Sequence, residues 1–309
     1  RWTLAGGLRL SSSFVKGKTF GGIEPRAMAT YEINSNSAVK ASYSRMKQYL
    51  HRVSSASLSL PTDLWYPVSK NVKPQNSDQF AVGYHYALPD LKVNLSLEGY
   101  YKKMRNLIEY KEGANLILNS NFEDLLVQGD GQAYGLEFLA KRDVGKLTGW
   151  IGYTLSWSKR QFDDINQGRW YYAKYDRRHD LSVVGNYNIT PRFTFAAVWV
   201  YSNGYRFTPV QGQYLFPNAA LTNISVTPIY GQRNWLSMSA SHRLDVNFVF
   251  KSKPEKKFKS EWHLGAYNVY NRATPYRVNV ALNPETGGYR YEQPGLFGFI
   301  PSIAYNFKF

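Results

Sequence analysis

Apolar and polar side chains alternate along twelve segments of this chain, and no other feature constrains the fold as strongly. In residues 192–205, Phe193, Phe195, Ala197, Trp199 and Tyr201 alternate with smaller or polar side chains. Successive side chains of a β-strand point to opposite faces, so this period of two predicts strands with one apolar face. The predicted strands cover residues 2–15, 22–33, 37–50, 77–88, 91–101, 131–142, 146–159, 181–189, 192–205, 236–250, 260–271 and 298–309.

The composition favours a membrane wall over a soluble core. Aromatic residues make up 16% of the chain, yet the mean hydropathy is −0.44, as expected when each strand faces water on one side and lipid on the other. No run of 18 apolar residues exists, which excludes a helical membrane protein but not a β-barrel. The absence of cysteine excludes disulfides, thiolate metal sites and thiol catalysis.

The connections between the predicted strands alternate in length. Short turns lie at residues 34–36, 89–90, 143–145, 190–191 and 252–256, and long connections lie at about 17–21, 51–76, 110–130, 160–176, 206–234 and 272–297. Outer-membrane barrels have short periplasmic turns and long extracellular loops. We therefore expect an all-β protein: a transmembrane antiparallel up-and-down β-barrel with about twelve strands here. It would cross the cell outer membrane many times and place its C-terminus in the periplasm.

The last predicted strand, residues 298–309, places aromatic side chains on one face and ends on one. This pattern resembles the C-terminal signal of bacterial outer-membrane barrels. The resemblance implies that Tyr305, Phe307 and Phe309 are read by the barrel-assembly machinery.

A formal charge of +16 raises nucleic acid as a partner. The lysines and arginines are dispersed over turns, loops and alternate strand positions rather than gathered in a basic helix, so we expect no nucleic-acid binding. In a barrel, outer-rim cations pair with lipopolysaccharide phosphates, and cations in the lumen pair with carboxylates. Outer-membrane lipid and lipopolysaccharide are therefore the predicted partners.

Five stretches of the chain resemble a known family in sequence and in order. They are NSDQFAVGY at 76–84, AYGLEFLA at 133–140 with GYTLS at 152–156, YDRRHDLSVVGNY at 175–187, SHRLD at 241–245 and YNVYN at 267–271. Together they are similar to the C-terminal half of TonB-dependent receptors, especially those of the Bacteroidetes.

The resemblance implies an architecture and a function. Such receptors are 22-stranded barrels with an N-terminal plug, so residues 1–309 are expected to be the C-terminal part of the barrel, with the plug domain and first strands absent. The implied function is energised uptake of a scarce nutrient (siderophore, cobalamin, glycan or peptide), with TonB acting through the absent plug region. A surface lipoprotein lid is a further implied partner. Neither a cofactor nor an enzymatic activity is expected.

Aromatic residues in three long connections are the candidate ligand contacts. They are Trp65, Tyr66, Trp170, Tyr171, Tyr172, Tyr214 and Phe216. Exposed rings can stack on sugars or pack on hydrophobic ligands. Packing between loops, or an aromatic girdle, is the competing and favoured interpretation.

Catalytic and metal sites have little support in the sequence. The five histidines lack metal-ligand spacing, so no metal site is predicted. Residues 176–180 place a histidine beside carboxylates, but structural pairing of Arg and Asp near the outer rim is favoured over a proton relay.

Three other functions stay open. In the first, the chain is a self-contained twelve-stranded passive channel. In the second it is an outer-membrane phospholipase, for which His242 with Ser241 or Ser239 is the nominated pair. In the third a receptor-like barrel serves as a structural subunit of an envelope complex.

Overall fold

Twelve long strands form one antiparallel sheet in the computed structural model, which describes residues 1–53, 64–111, 122–217, 224–255, 257–283, 285 and 288–308. Each strand pairs with the next one along the chain. They are β1 (Trp2–Val15), β2 (Lys18–Asn34), β3 (Ser37–Gln48), β4 (Gln75–Leu88), β5 (Val93–Tyr110), β6 (Leu126–Arg142), β7 (Leu147–Gln161), β8 (His179–Thr190), β9 (Phe193–Ser202), β10 (Ser241–Lys251), β11 (Lys259–Tyr267) and β12 (Ile300–Lys308). The predicted all-β fold and its twelve strands are confirmed.

The sheet has an apolar face and a polar face, as the alternation predicts. Directly paired residues share a face, so rows of side chains run across the strands. One such row on the apolar face, the aromatic row, crosses β3 to β7 and consists of Tyr43, Phe80, Tyr101, Tyr134 and Trp157. The polar face carries Glu98 opposite Glu137, and Ser182 further along the sheet.

The connections define two ends of the sheet, the short-turn end and the loop end. The aromatic row lies towards the loop end, and a second group of rings lies towards the short-turn end. There Phe193 stacks on Phe250 with 4.6 Å between ring centroids, and Trp262 contacts Tyr305 at 4.5 Å. Two aromatic belts flanking an apolar band are typical of a sheet that spans a membrane.

The first predicted long connection, 17–21, is wrong. A two-residue turn at 16–17 joins β1 to β2, and Gly17 has a φ of +80° there, which glycine adopts without strain. Gly21 and Gly22 both lie inside β2. A Cβ on Gly22 would come within 2.6 Å of the Tyr49 hydroxyl, so the glycine permits close side-chain packing.

The predicted start of the tenth strand at residue 236 is also wrong. Leu236–Ser237 pairs with Arg206–Phe207 instead, and β10 begins at Ser241. The amide of Met238 donates to the carbonyl of Tyr205, so this segment is hydrogen-bonded to the start of its own loop. Apolar alternation cannot separate the two arrangements, because both are extended.

Shorter strands build the loop end. Tyr171–Tyr172 adds to β7, and four further hairpins lie outside the sheet. They pair Leu50–Val53 with Leu64–Pro67, Val210–Pro217 with Ile224–Tyr230, Thr274–Pro275 with Gly295–Leu296, and Asn279–Leu282 with Tyr289–Glu292.

The two outer strands, β1 and β12, each have a single neighbour in the sheet within the described ranges. Helical structure there is limited to two short 3₁₀ turns, Phe122–Leu125 and Asn166–Gly168. Within the described ranges, no helix is long and apolar enough to cross a bilayer.

Candidate functional site

The ends of β5 and β6 carry packed loops on both faces, and this assembly is the loop cluster. Leu107 and Val127 pack with Phe162, Ile165 and Tyr171 from the connection after β7. On the other face, a second buried group joins the hairpin Leu50–Val53/Leu64–Pro67 to β5; it consists of Val53, Val72, Ile108 and Tyr110. Separate loops are thereby held as one packed unit.

Glu109 links three parts of the loop cluster. Its carboxylate accepts hydrogen bonds from Arg160 at 2.6 Å, Arg233 at 3.0 Å and the Tyr171 hydroxyl at 2.9 Å. Its side chain is only 12% exposed. Burial and the nearby Glu109 charge raise the pKa of Tyr171, so the hydroxyl stays a donor. Arg233 lies 124 residues from Glu109, and no local sequence signal predicts this contact.

Asp176 forms a second buried ionic group. Its fully buried carboxylate accepts the amide hydrogen of Ser158 at 2.7 Å and pairs with Arg178 at 3.4 Å and Arg206 at 3.2 Å. The preferred structural interpretation of residues 176–180 agrees with this geometry, because Asp176 ties arginines from two loops to β7.

Aromatic rings cover the arginines of this group. The guanidinium of Arg178 lies 4.5 Å from the centroid of Trp157 and 5.5 Å from that of Tyr172. The guanidinium of Arg206 also lies over Tyr172, 4.2 Å from its ring centroid. Stacking over ring faces stabilises partly desolvated cations. Tyr172 is therefore part of the packing between loops.

The hairpin Leu50–Val53/Leu64–Pro67 is anchored by polar groups with shifted pKa values. The Tyr66 hydroxyl donates to Glu123, and Asn71 donates to the same carboxylate at 3.0 Å. Burial, then the contact with Glu123, raises the pKa of Tyr66 to about 12. The bond from Tyr66 lowers the pKa of Glu123.

His51 lies on the same hairpin and is fully buried. A contact with the Lys73 backbone affects the pKa of the ring less than burial does. Burial lowers the pKa of His51, because a charged imidazole would lose its hydration there.

The predicted ligand aromatics divide into two groups. Tyr66, Tyr171 and Tyr172 are engaged in the loop contacts described above. Trp65, Trp170 and Tyr214 are 57%, 40% and 60% exposed. The side chain of Phe216 lies outside the described residues. Ligand contact by these seven residues stays a prediction.

The predicted assembly signal lies on the last strand. Tyr305 and Phe307 share the apolar face of β12, with 5.9 Å between ring centroids, and Phe309 lies outside the described residues. Recognition of Tyr305, Phe307 and Phe309 by the assembly machinery stays a prediction.

The residues nominated for a lipase do not form a catalytic pair. Nδ1 of His242 lies 2.8 Å from the Tyr270 hydroxyl, whereas Ser241 bonds to Ser202 on the opposite face. Across the described ranges, His, Asp and Glu side chains form no group of three suited to a metal ion.

The motifs SHRLD and YNVYN, which resemble the family, lie in contact with each other. In SHRLD, Arg243 bonds to Asp245 at 2.9 Å and stacks on Tyr267 of YNVYN at 4.3 Å. Asp245 also accepts the amide hydrogen of Asn268, which has a φ of +53° and ends β11. The motif residues thus join two strands where the chain enters a loop.

The loop cluster has an excess of positive charge. Glu109 faces two guanidiniums, and Asp176 faces two more. Trp170 lies in the connection that supplies Arg178, and Trp65 lies on the hairpin that packs against β5. This arrangement suits a solute with negative charge and flat groups.

The comparisons with known proteins agree with the fold and the motifs. Residues 1–283 match the family described as "TonB dependent receptor-like, beta-barrel". No curated protein matches the sequence.

Several solved structures share the fold. The ferric-catecholate import receptor Fiu from E. coli K12 is 15% identical with a TM-score of 0.57, over 99% of this chain and 42% of that one. The FrpB iron transporter from Neisseria meningitidis is 12% identical with a TM-score of 0.59, over 99% and 42%. The copper transporter OprC is 14% identical with a TM-score of 0.62, over 100% and 45%.

This chain therefore spans less than half the length of these structures. The family consists of receptors and transporters, so the lipase alternative is set aside. The Bacteroidetes assignment stays a prediction. With most of its sequence matched and its twelve strands in place, the chain belongs to the family of TonB-dependent receptor β-barrels.

Proposed function

We propose that this chain forms part of the barrel wall of an outer-membrane receptor. The receptor takes up a scarce nutrient with energy supplied through TonB. The observation that supports this proposal is a twelve-stranded sheet in a chain that matches the family, with packed loops gathered over one end of the sheet. The short-turn end and the C-terminus lie in the periplasm, and the loop end lies outside the cell. A lipoprotein lid over the loops stays a proposal from the resemblance.

Residues 1–309 form the C-terminal part of a 22-stranded barrel in this proposal, and the plug and first strands belong to the rest of the protein. Support comes from β1 and β12, each of which has one neighbour in the described sheet. Lipid supplies no hydrogen-bond partners for open strand edges. The matched structures are also more than twice as long as this chain.

Among siderophore, cobalamin, glycan and peptide, the loop cluster favours an anionic metal chelate of the siderophore class. The support is its excess of arginine and the exposed rings of Trp65 and Trp170. Relatives of the same fold are described as a ferric-catecholate import receptor and an iron transporter.

Uptake by cells that carry the whole receptor tests this function. Labelled iron as anionic ferric chelates, labelled cobalamin, a glycan and a peptide are offered with and without TonB. We expect TonB-dependent uptake of one ferric chelate. Trp65→Ala with Trp170→Ala should weaken its binding about tenfold, whereas Trp2→Ala, on the apolar face, should not. Uptake of small solutes without TonB would favour a passive channel instead.

A further inference from the structure

Three neighbouring turns at the short-turn end carry a strip of basic side chains. One turn, at 143–146, joins β6 to β7, the next, at 191–192, joins β8 to β9, and the third, at 252–258, joins β10 to β11. These hairpins follow one another in the sheet, so successive turns lie about 10 Å apart. Together with the end of β12 they form the basic rim, whose cations are Lys141, Arg142, Lys146, Arg192, Lys251, Lys253, Lys257, Lys259 and Lys308.

The basic rim has many more cations than carboxylates. Against its nine cations, the described residues within three positions of these turns include three carboxylates, Asp143, Glu255 and Glu261. Lys141 pairs with Asp143 at 3.0 Å, and Lys251 pairs with Glu261 at 3.9 Å. No other rim cation pairs with a carboxylate in the described part of the chain. The rim therefore keeps positive charge that the described chain does not neutralise.

Two contacts between like charges lie within the basic rim. Lys259 is directly opposite Lys308 in the register of β11 and β12. The amide of Lys251 donates to the carbonyl of Arg192, so these two cations are neighbours on adjacent strands. Like charges that face each other across strands destabilise a sheet. A bound anion would remove this repulsion, so the rim favours an anionic partner.

The rim lysines of β10 to β12 face away from lipid. Arg243 lies on the polar face, because it aligns with Ser182 through β9. Lys251 is eight positions further along β10 and therefore shares that face. The register of β11 and β12 places Lys259 and Lys308 on it as well. Membrane lipid contacts the other face, so lipid headgroups are not the partner of these three lysines.

We propose that the basic rim binds the carboxylate-bearing peptides of peptidoglycan, the cell-wall polymer of the periplasm. The inference rests on the proposed function, which places the short-turn end in the periplasm. Charge complementarity requires an anionic partner. The regular spacing of the three turns favours a polymer with repeated carboxylates, because each turn can pair with a separate group. Each exposed ion pair is weak, but several pairs to one polymer bind together.

Two matched triple variants of the whole receptor test this inference. The rim variant removes three exposed charges and consists of Lys146→Gln, Lys253→Gln and Lys259→Gln. The loop-end variant removes three exposed charges from the opposite end of the sheet and consists of Lys16→Gln, Lys70→Gln and Lys111→Gln. All six side chains are exposed, so both variants should fold, and the mobility of unheated samples on SDS gels checks that they do.

Binding is measured by co-sedimentation with purified insoluble peptidoglycan, either untreated or with its carboxylates converted to amides. We expect the rim variant to bind untreated peptidoglycan about tenfold more weakly than the parent, since it loses three exposed ion pairs. The loop-end variant should bind like the parent. Amidated peptidoglycan should not retain the parent, and raised salt should weaken binding to the untreated polymer.

Equal binding by the rim variant and the loop-end variant, or equal retention by amidated peptidoglycan, would overturn the proposal. Tighter binding of soluble poly-glutamate at the same carboxylate concentration would also overturn it, and would assign the rim to an acidic protein. Nutrient uptake by the parent is measured separately. Uptake without carboxylate-dependent binding would refute only the partner of the rim, and such binding without uptake would refute only the receptor function.

Discussion

Replacing Asp176 by Asn should loosen the loop cluster without unfolding the sheet. The amide still accepts the backbone hydrogen of Ser158, but Arg178 and Arg206 lose the charge that faces them. Asp176 is fully buried, and the two arginines are 23% and 17% exposed. Removing one partner of a buried pair costs about 3–5 kcal/mol. We take the lower figure, because the arginines keep part of their hydration and their contacts with Tyr172.

A loss of about 3 kcal/mol corresponds to roughly 150-fold more frequent local opening. Amide hydrogen exchange in peptides covering residues 171–178 and 203–209 should accelerate by that factor. Asp164→Asn is the matched control, since Asp164 lies in the same connection with an exposed side chain. If the two variants exchange at the same rate, Asp176 does not hold the loops together and the reasoning fails.

Three further predictions concern the hairpin and the sheet. Lowering the pH from 7.5 to 5.5 should loosen the hairpin Leu50–Val53/Leu64–Pro67, because burial lowers the pKa of His51. The neutral imidazole stabilises the hairpin above the ordinary pKa of 6.5, and this stabilisation is lost as the pH falls. The fluorescence of Trp65, taken as the difference from Trp65→Phe because the chain has eight tryptophans, reports this. A response unchanged in His51→Phe would contradict it. Raising the pH from 10 towards 12 should also loosen the hairpin, because the raised pKa of Tyr66 stabilises it only while the phenol is protonated; Tyr66→Phe should lose about 1.5 kcal/mol of local stability and this alkaline response. Gly149→Ala should prevent folding, because Gly149 has a φ of +148° and a Cβ would lie 2.0 Å from the Val184 carbonyl oxygen. Gly185 lies directly opposite with open space around it, so Gly185→Ala should fold. A heat-modifiable band on SDS gels for both variants would refute this.

The wall of the protein could be predicted from the sequence, because a membrane strand repeats one environment every two residues. All twelve strands follow from that rule, with errors at residues 17–21, most of which belong to β2, and at residue 236, where an extended loop segment resembles a strand. The loop end could not be predicted in the same way. Its hairpins face water and other loops, so no alternation marks them.

The contacts within the loop cluster have no local signal at all. Glu109 and Arg233 are 124 residues apart, and Asp176 and Arg206 are 30 apart. The sequence did identify aromatic residues there, but not which rings would be packed. Tyr171 is 3% exposed and Trp170 is 40% exposed, although they are neighbours.

A distance between β1 and β12 tests the central claim most directly, because the two strands are neighbours only if twelve strands close on themselves. Residues 1–309 hold no cysteine, so Ala5→Cys with Ala304→Cys gives a unique pair of spin labels in a whole protein in which any cysteine outside this range is replaced by serine. These strands are eleven steps apart along the sheet. In a 22-stranded barrel eleven steps are half the circumference, which places the labels about 40 Å apart at roughly 4.8 Å between strands and a 40° tilt. A distance near 40 Å by electron–electron double resonance is the predicted result, and one below about 15 Å would contradict the account and indicate a self-contained twelve-stranded channel.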